Sequence, residues 1–76
     1  MSSRVPALTP RDVIRVLERR GFFVHRIAGS HHLLKHPSDP HIRVVVALHR
    51  RELHPGTVRR IIKDAGMTAD EFLALL

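Results

Sequence analysis

The residues best suited to chemistry in this chain are Gly29, Ser30, His31 and His32. Imidazole is the only side chain whose ordinary pKa, about 6.5, lets it take up and release a proton near neutrality. A glycine followed by a serine reads as a tight turn, because Gly29 can take positive φ and Ser30 can hydrogen-bond within its own turn. A histidine that opens the strand after such a turn is held beside the turn amides. In a basic setting, that arrangement can hold a phosphate and move a proton. Strand alternation puts His31, Leu33 and Lys35 on one face, and His32, Leu34 and His36 on the other. One leucine lies on each face, so the pattern leaves open which histidine meets solvent.

The setting is basic. Thirteen Lys and Arg oppose seven Asp and Glu, a net charge of +6 before any histidine is protonated. All but Lys35 and Lys63 are arginine, which suits bidentate contact with phosphate. A polyanion is therefore the favoured partner, with nucleic acid the commonest and an acidic protein surface the other choice. Arg26 and Lys35 flank the turn and could steady a phosphate. Arg59, Arg60 and Lys63 form a second basic group, suited to nucleic acid or an acidic protein. His49 follows the third apolar run and could approach the turn. Arg11, Arg15 and Arg19 read as a solvated helix face, and His25, His36, His41 and His54 as solvated or packing residues. With no cysteine there are no disulfides and no thiolate metal sites, which fits a reducing compartment. No pair of histidines has a recognised metal-site spacing, so neither metal nor cofactor is expected. No apolar run approaches the roughly 18 residues of a membrane span, and residues 1–6 lack the apolar core of a signal peptide. A cytoplasmic protein without a membrane anchor is expected.

The elements that would position these residues follow from local signals. Seventy-six residues suggest one domain over 1–76, with residues 1–8 as a loose lead-in. Thr9, Pro10 and Asp12 mark a helix start, Val13, Val16 and Leu17 its apolar face, and Gly21 its end. Phe22 to Ile27 and His31 to His36 read as strands joined by the Gly29-Ser30 turn. Pro37-Ser38-Asp39-Pro40 reads as a loop, and His41 to Leu48 as a strand whose apolar run suits a central position or burial over part of both faces. Pro55 opens a second helix with Val58, Ile61, Ile62 and Ala65 on one arc, and Gly66 ends it. Thr68 and Glu71 have capping-box spacing for a short last helix that buries Phe72 with Leu75 or Leu76. The class is α+β, α-β-β-β-α, with a three-stranded antiparallel sheet, both helices on one face and a short C-terminal helix.

These segments together resemble the HicA family of small toxins, the mRNA interferases of HicA–HicB toxin–antitoxin pairs. The resemblance rests on the ordered set: Gly21-Phe22, Gly29-Ser30-His31, the run Val44 to His49, Gly56-Thr57-Val58, Ile61-Ile62, Ala65-Gly66 and Glu71-Phe72. It covers residues 9 to 76. It implies a fold like that of a double-stranded-RNA-binding domain, metal-independent endoribonuclease activity on mRNA, and inhibition by a HicB-type antitoxin. The family's catalytic histidine lies in the Gly-Ser-His turn, which corresponds to His31. The motif here is doubled, with His32 alongside. Ala47 stands where many relatives carry a proline.

RNA carries its own nucleophile, the 2′-hydroxyl. An enzyme need only take that proton, stabilise charge on the phosphorane and protonate the leaving oxygen. In this scheme His31 is the general base or acid. Gly29 and Ser30 supply amides, Arg26 or Lys35 assists, and His32 and His49 are further RNA-contacting or catalytic candidates. Two other classes remain open: a non-catalytic RNA-binding module, and an interaction domain whose charge meets an acidic protein.

Overall fold

The computed structural model describes residues 5–76. Six elements follow one another: α1 (Pro10–Arg20), β1 (Phe23–Ala28), β2 (His31–His36), β3 (Asp39–Ala47), α2 (Pro55–Asp64) and α3 (Ala69–Leu73). The strands form one antiparallel sheet in the order β1-β2-β3. The α+β class with a short C-terminal helix is as the sequence indicates.

Each helix begins and ends on the residues that local chemistry favours. Thr9 caps α1 through its side chain, which accepts from the Asp12 N–H, while Asp12 accepts from the Thr9 N–H. Thr68 and Glu71 repeat this reciprocal arrangement at α3. Backbone N–H groups that a helix start leaves unpaired are thereby satisfied. These bonds, the backbone one foremost, hold both carboxyls below their ordinary pKa values. At its far end α1 turns on Gly21, at φ 108°, and the Phe22 N–H reaches back to the Leu17 carbonyl. The same return, Met67 N–H to Ile62 carbonyl, follows Gly66 after α2. Both are Schellman closures, each followed by a buried apolar residue.

The core is one cluster. Val13, Val16 and Leu17 of α1, Val58 and Ile61 of α2, and Phe72 of α3 pack on Leu34, Val44 and Val46 of the sheet. No polar side chain is buried among the described residues. Residues 1–4 of the lead-in lie outside the described residues, whereas Leu8 is buried and pairs with Leu53 through the Leu53 N–H.

Two expectations about β3 are corrected. The loop before it is only Pro37-Ser38, and Asp39 and Pro40 already belong to the strand. A proline fits there because β3 is an edge strand, where one row of N–H groups needs no ladder partner. β2, not β3, is central. The apolar run of β3 is buried on alternate residues only: Val44 and Val46 are sealed in the core, but Val45 is 47% exposed on the other face. Three consecutive valines had hidden that alternation.

His36 closes the far end of β2. Its Nδ1 accepts from the Ser38 N–H at 3.1 Å, so Nε2 carries the hydrogen and donates to the Arg20 carbonyl, also at 3.1 Å. Its ring meets Phe22 edge-on, with centroids 5.0 Å apart. A Cβ at Gly21 would lie 2.8 Å from that Nε2.

Gly21→Ala should therefore lose stability twice, through the positive φ and through displacement of His36. The expected cost is about 2–3 kcal/mol, read from urea unfolding. A second expectation concerns acid. Carboxyls whose folded pKa is lowered stabilise fully above their ordinary range and lose that contribution as pH falls through the lowered values. The urea midpoint should thus drop below about pH 4, and less steeply in Asp12→Asn/Glu71→Gln. An unchanged slope in that variant would refute the assignment.

Candidate functional site

The β1–β2 connection is the two-residue turn Gly29-Ser30. Only Gly29 of the pair has positive φ, 60°, the pattern of a type II′ hairpin turn with glycine first. The Ser30 carbonyl then accepts from the Leu48 N–H at 2.7 Å, which ties the turn to the exit of β3. Register separates the two histidines. His31 pairs with Ala28 and Ala47, and His32 with Ile27 and Val46. Paired residues share a face. Val46 belongs to the core, so His32 lies on the helix side and His31 on the open side. His31 is exposed and His32 half-buried, and neither is sealed under the helices.

His31 lines a groove of about 350 Å³ between the end of the open sheet face and the N-terminal half of α2. Its polar wall comprises His49, Arg51, His54, Thr57 and Arg60, with Val45 and Ala47 from β3 beneath. Glu52 is the one acidic residue in the lining. His32 opens instead on a separate depression of about 310 Å³ with Arg11, Arg15, Glu18 and Leu48. His49 also borders the neighbouring hollow formed with Thr9, Arg11 and Arg50, so it is reachable from both sides.

Backbone partners sort the rings near the site. The Nδ1 of His32 lies 3.3 Å from the Ser30 carbonyl. A carbonyl only accepts, so this nitrogen must donate, and in the neutral ring Nε2 is then the acceptor. The Nδ1 of His54 has the opposite assignment, since the Gly56 N–H donates to it at 3.0 Å. No hydrogen bond within the protein engages the His31 ring or the His49 ring among the described residues. Both therefore keep two nitrogens for a ligand. The described residues contain no group of three or more His, Asp and Glu disposed to hold a metal ion.

Of the residues singled out from sequence, the groove unites His31, His49 and Arg60; Gly29 and Ser30 immediately precede His31 but do not line it. Arg26 and Lys35 share the open face with His31 but do not line the groove. Arg26 reaches that face through a bulge: Val24 pairs with Leu34 and Arg26 with Leu33, so His25 is the extra residue and parity reverses after it. Arg59 and Lys63 are exposed on α2 outside the groove lining. Sequence reasoning did not single out Arg51, Thr57 or His54 for the site. His54 had a usable signal, because a helix opening on Pro55 makes residue 54 the cap. The arginines of α1 divide. Arg19 donates to the Leu75 carbonyl at 2.7 Å and Arg20 stands 3.6 Å from Glu71, while Arg11 and Arg15 border the His32 depression.

Fold and groove define a small basic α+β domain with a histidine-lined cationic cleft at a hairpin turn. The chain belongs to the HicA toxin family of bacterial toxin–antitoxin systems, whose profile it matches over residues 10–67, from the start of α1 to the closure after α2. An antitoxin partner is implied by that membership. No curated protein matches the chain at a significant level. Among the described residues no helix is long and apolar enough to cross a membrane.

If the groove binds a polyanion, Arg51→Ala and Arg60→Ala should each weaken binding of a single-stranded RNA oligonucleotide. Each should also reduce the slope of log K against log salt by about 0.7, the value for one lost phosphate contact. A slope unchanged in both variants would count against an anion in this cleft.

Proposed function

We propose that this toxin is a cytoplasmic endoribonuclease that cleaves mRNA in the His31 groove without a metal, and that a HicB-type antitoxin inhibits it by covering the same cleft. The observation that carries the reading is His31 itself. It is an exposed imidazole with both nitrogens unengaged, on the central strand, in a groove it shares with two arginines and a second unengaged histidine.

The chemistry is as follows. His31 takes the proton of a ribose 2′-hydroxyl, and the 2′-oxygen attacks the adjacent phosphorus. The bond from phosphorus to the 5′-oxygen breaks, and that oxygen receives a proton from His49 in its protonated form. The products are a 2′,3′-cyclic phosphate and a 5′-hydroxyl. Arg60 and Arg51 stabilise the charge that accumulates on the non-bridging oxygens. The net positive charge draws RNA to the cleft, and it suits an acidic antitoxin surface equally well.

A competing assignment has one specific observation behind it. The bond from His32 Nδ1 to the Ser30 carbonyl makes Nε2 the acceptor of the neutral ring, which suits a general base. Its depression carries Glu18 with Arg11 and Arg15, the same balance of charge as Glu52 with Arg51 and Arg60 in the His31 groove, but it lacks the further imidazoles, His49 and His54, that line that groove.

His31→Ala should lower RNA cleavage by about 10²–10⁴-fold, and His32→Ala by much less. A DNA strand of the same sequence, lacking the 2′-hydroxyl, should remain intact. Full activity in His31→Ala with loss in His32→Ala would transfer the role to His32. RNA that is bound but never cut would make the protein a binding module.

A further inference from the structure

We propose that His54 is a further substrate-contacting residue of the groove: a neutral histidine, fixed as an Nε2–H donor, that holds a non-bridging phosphate oxygen while His31 moves the proton. This rests on the reading of the groove as an RNA-cleaving site.

The assignment begins with the cap of α2. His54 precedes Pro55 with φ −58° and ψ 138°, and the Gly56 N–H donates to its Nδ1 at 3.0 Å. A backbone N–H can only donate, so Nδ1 bears no hydrogen and the neutral ring carries its hydrogen on Nε2. Proton uptake at Nδ1 would require breaking the cap bond and leaving the Gly56 N–H unpaired at the helix start. The ring lies over Gly56, where a Cβ would stand 3.2 Å from Nδ1 and 3.5 Å from Cε1. Residue 56 thus has no side chain to lift the imidazole off its cap.

The groove supplies the other half of the argument. His54, Thr57 and Ile61 recur at i, i+3 and i+7, so one side of α2 forms the wall opposite His31, with Arg60 beside them. Ser, Thr, Asp or Asn would cap a helix as well as histidine does. What histidine adds is an N–H beyond the cap, on an exposed ring that lines the cleft. His31 and His49 have neither ring nitrogen engaged among the described residues. His54, with one nitrogen committed, is suited to donate a hydrogen bond without exchanging its proton. A donor of this kind acts on the charge that grows on phosphate in the transition state, so its loss should appear in kcat more than in KM.

The test is His54→Ser, which preserves a capping oxygen but is too short to reach a ligand in the groove, with His54→Thr as a second variant should the first unfold. Cleavage of an RNA oligonucleotide is followed across pH beside native protein and His31→Ala. The inference expects kcat to fall about 100- to 1000-fold, with little change in KM, the native shape of the pH profile, and Tm within about 3 °C of native. Ring ¹⁵N shifts of native protein at alkaline pH should show His54 protonated at Nε2. Native kcat in His54→Ser with an inactive His31→Ala would overturn this inference and leave the cleavage reading standing. A pH profile that loses a limb in His54→Ser, or a ring protonated at Nδ1, would overturn the neutral-donor role. Absence of cleavage by native protein would overturn both readings.

Discussion

The bond from His36 Nε2 to the Arg20 carbonyl is the constraint on which the site depends. It joins the last residue of β2 to the C-terminal end of α1, and the Ser38 N–H holds the same ring from the other side. Side chains in a strand alternate strictly. Once His36 is fixed toward the helix, Leu34 and His32 must follow it inward, and Lys35, Leu33 and His31 must face outward. The type II′ turn at Gly29 fixes the opposite end of the strand, and the Ser30 carbonyl fastens that turn to Leu48. His31 is thus oriented by contacts that do not touch it, which leaves its ring free for a ligand.

The basic residues divide in a similar way. Some are committed to the architecture: Arg19 to the Leu75 carbonyl and Arg20 to Glu71. Exposed pairs such as Arg20–Glu71 contribute little stability on their own; α3 is held chiefly by Phe72, which is sealed in the core. Others, Arg51 and Arg60 in one cleft and Arg11 and Arg15 in another, border hollows at the hairpin end. A net charge of +6 would otherwise only oppose compaction by self-repulsion. In a toxin of an antitoxin-paired family, the same charge suits the two anionic surfaces proposed above, a nucleic acid and a partner protein.

Much of the fold was legible because its signals are local. Thr9, Pro10 and Asp12, or Thr68 and Glu71, act within one turn of helix, and Gly21 and Gly66 end helices through their own φ. The position of β3 was not legible. Three adjacent valines conceal an alternation, and edge position depends on chain order in the sheet rather than on hydropathy. Pro40 held the relevant signal, since a proline within a strand favours an edge. The pairing of His31 with Ala47 and of His32 with Val46 was equally hidden, because His31-His32-Leu33-Leu34 offers like residues to both faces. Arg51 and Thr57 come to the groove only through the course of the β3–α2 connection, for which the sequence carries no periodic signal. His54 is different: its role as a cap followed from Pro55, but its place opposite His31 required the tertiary fold.

The doubled residues of the strands bear on how the chain assembles. His31 beside His32, Leu33 beside Leu34, and Val44, Val45 and Val46 together mean that a hairpin misaligned by one step would bury nearly the same hydrocarbon. Strand interiors therefore give folding little power to reject that error. Rejection falls to the two ends, where a shifted chain would force positive φ on a residue other than glycine and leave the Arg20 carbonyl without its imidazole. Proofreading of alignment in this sheet is a task for two termini, one of them a single histidine.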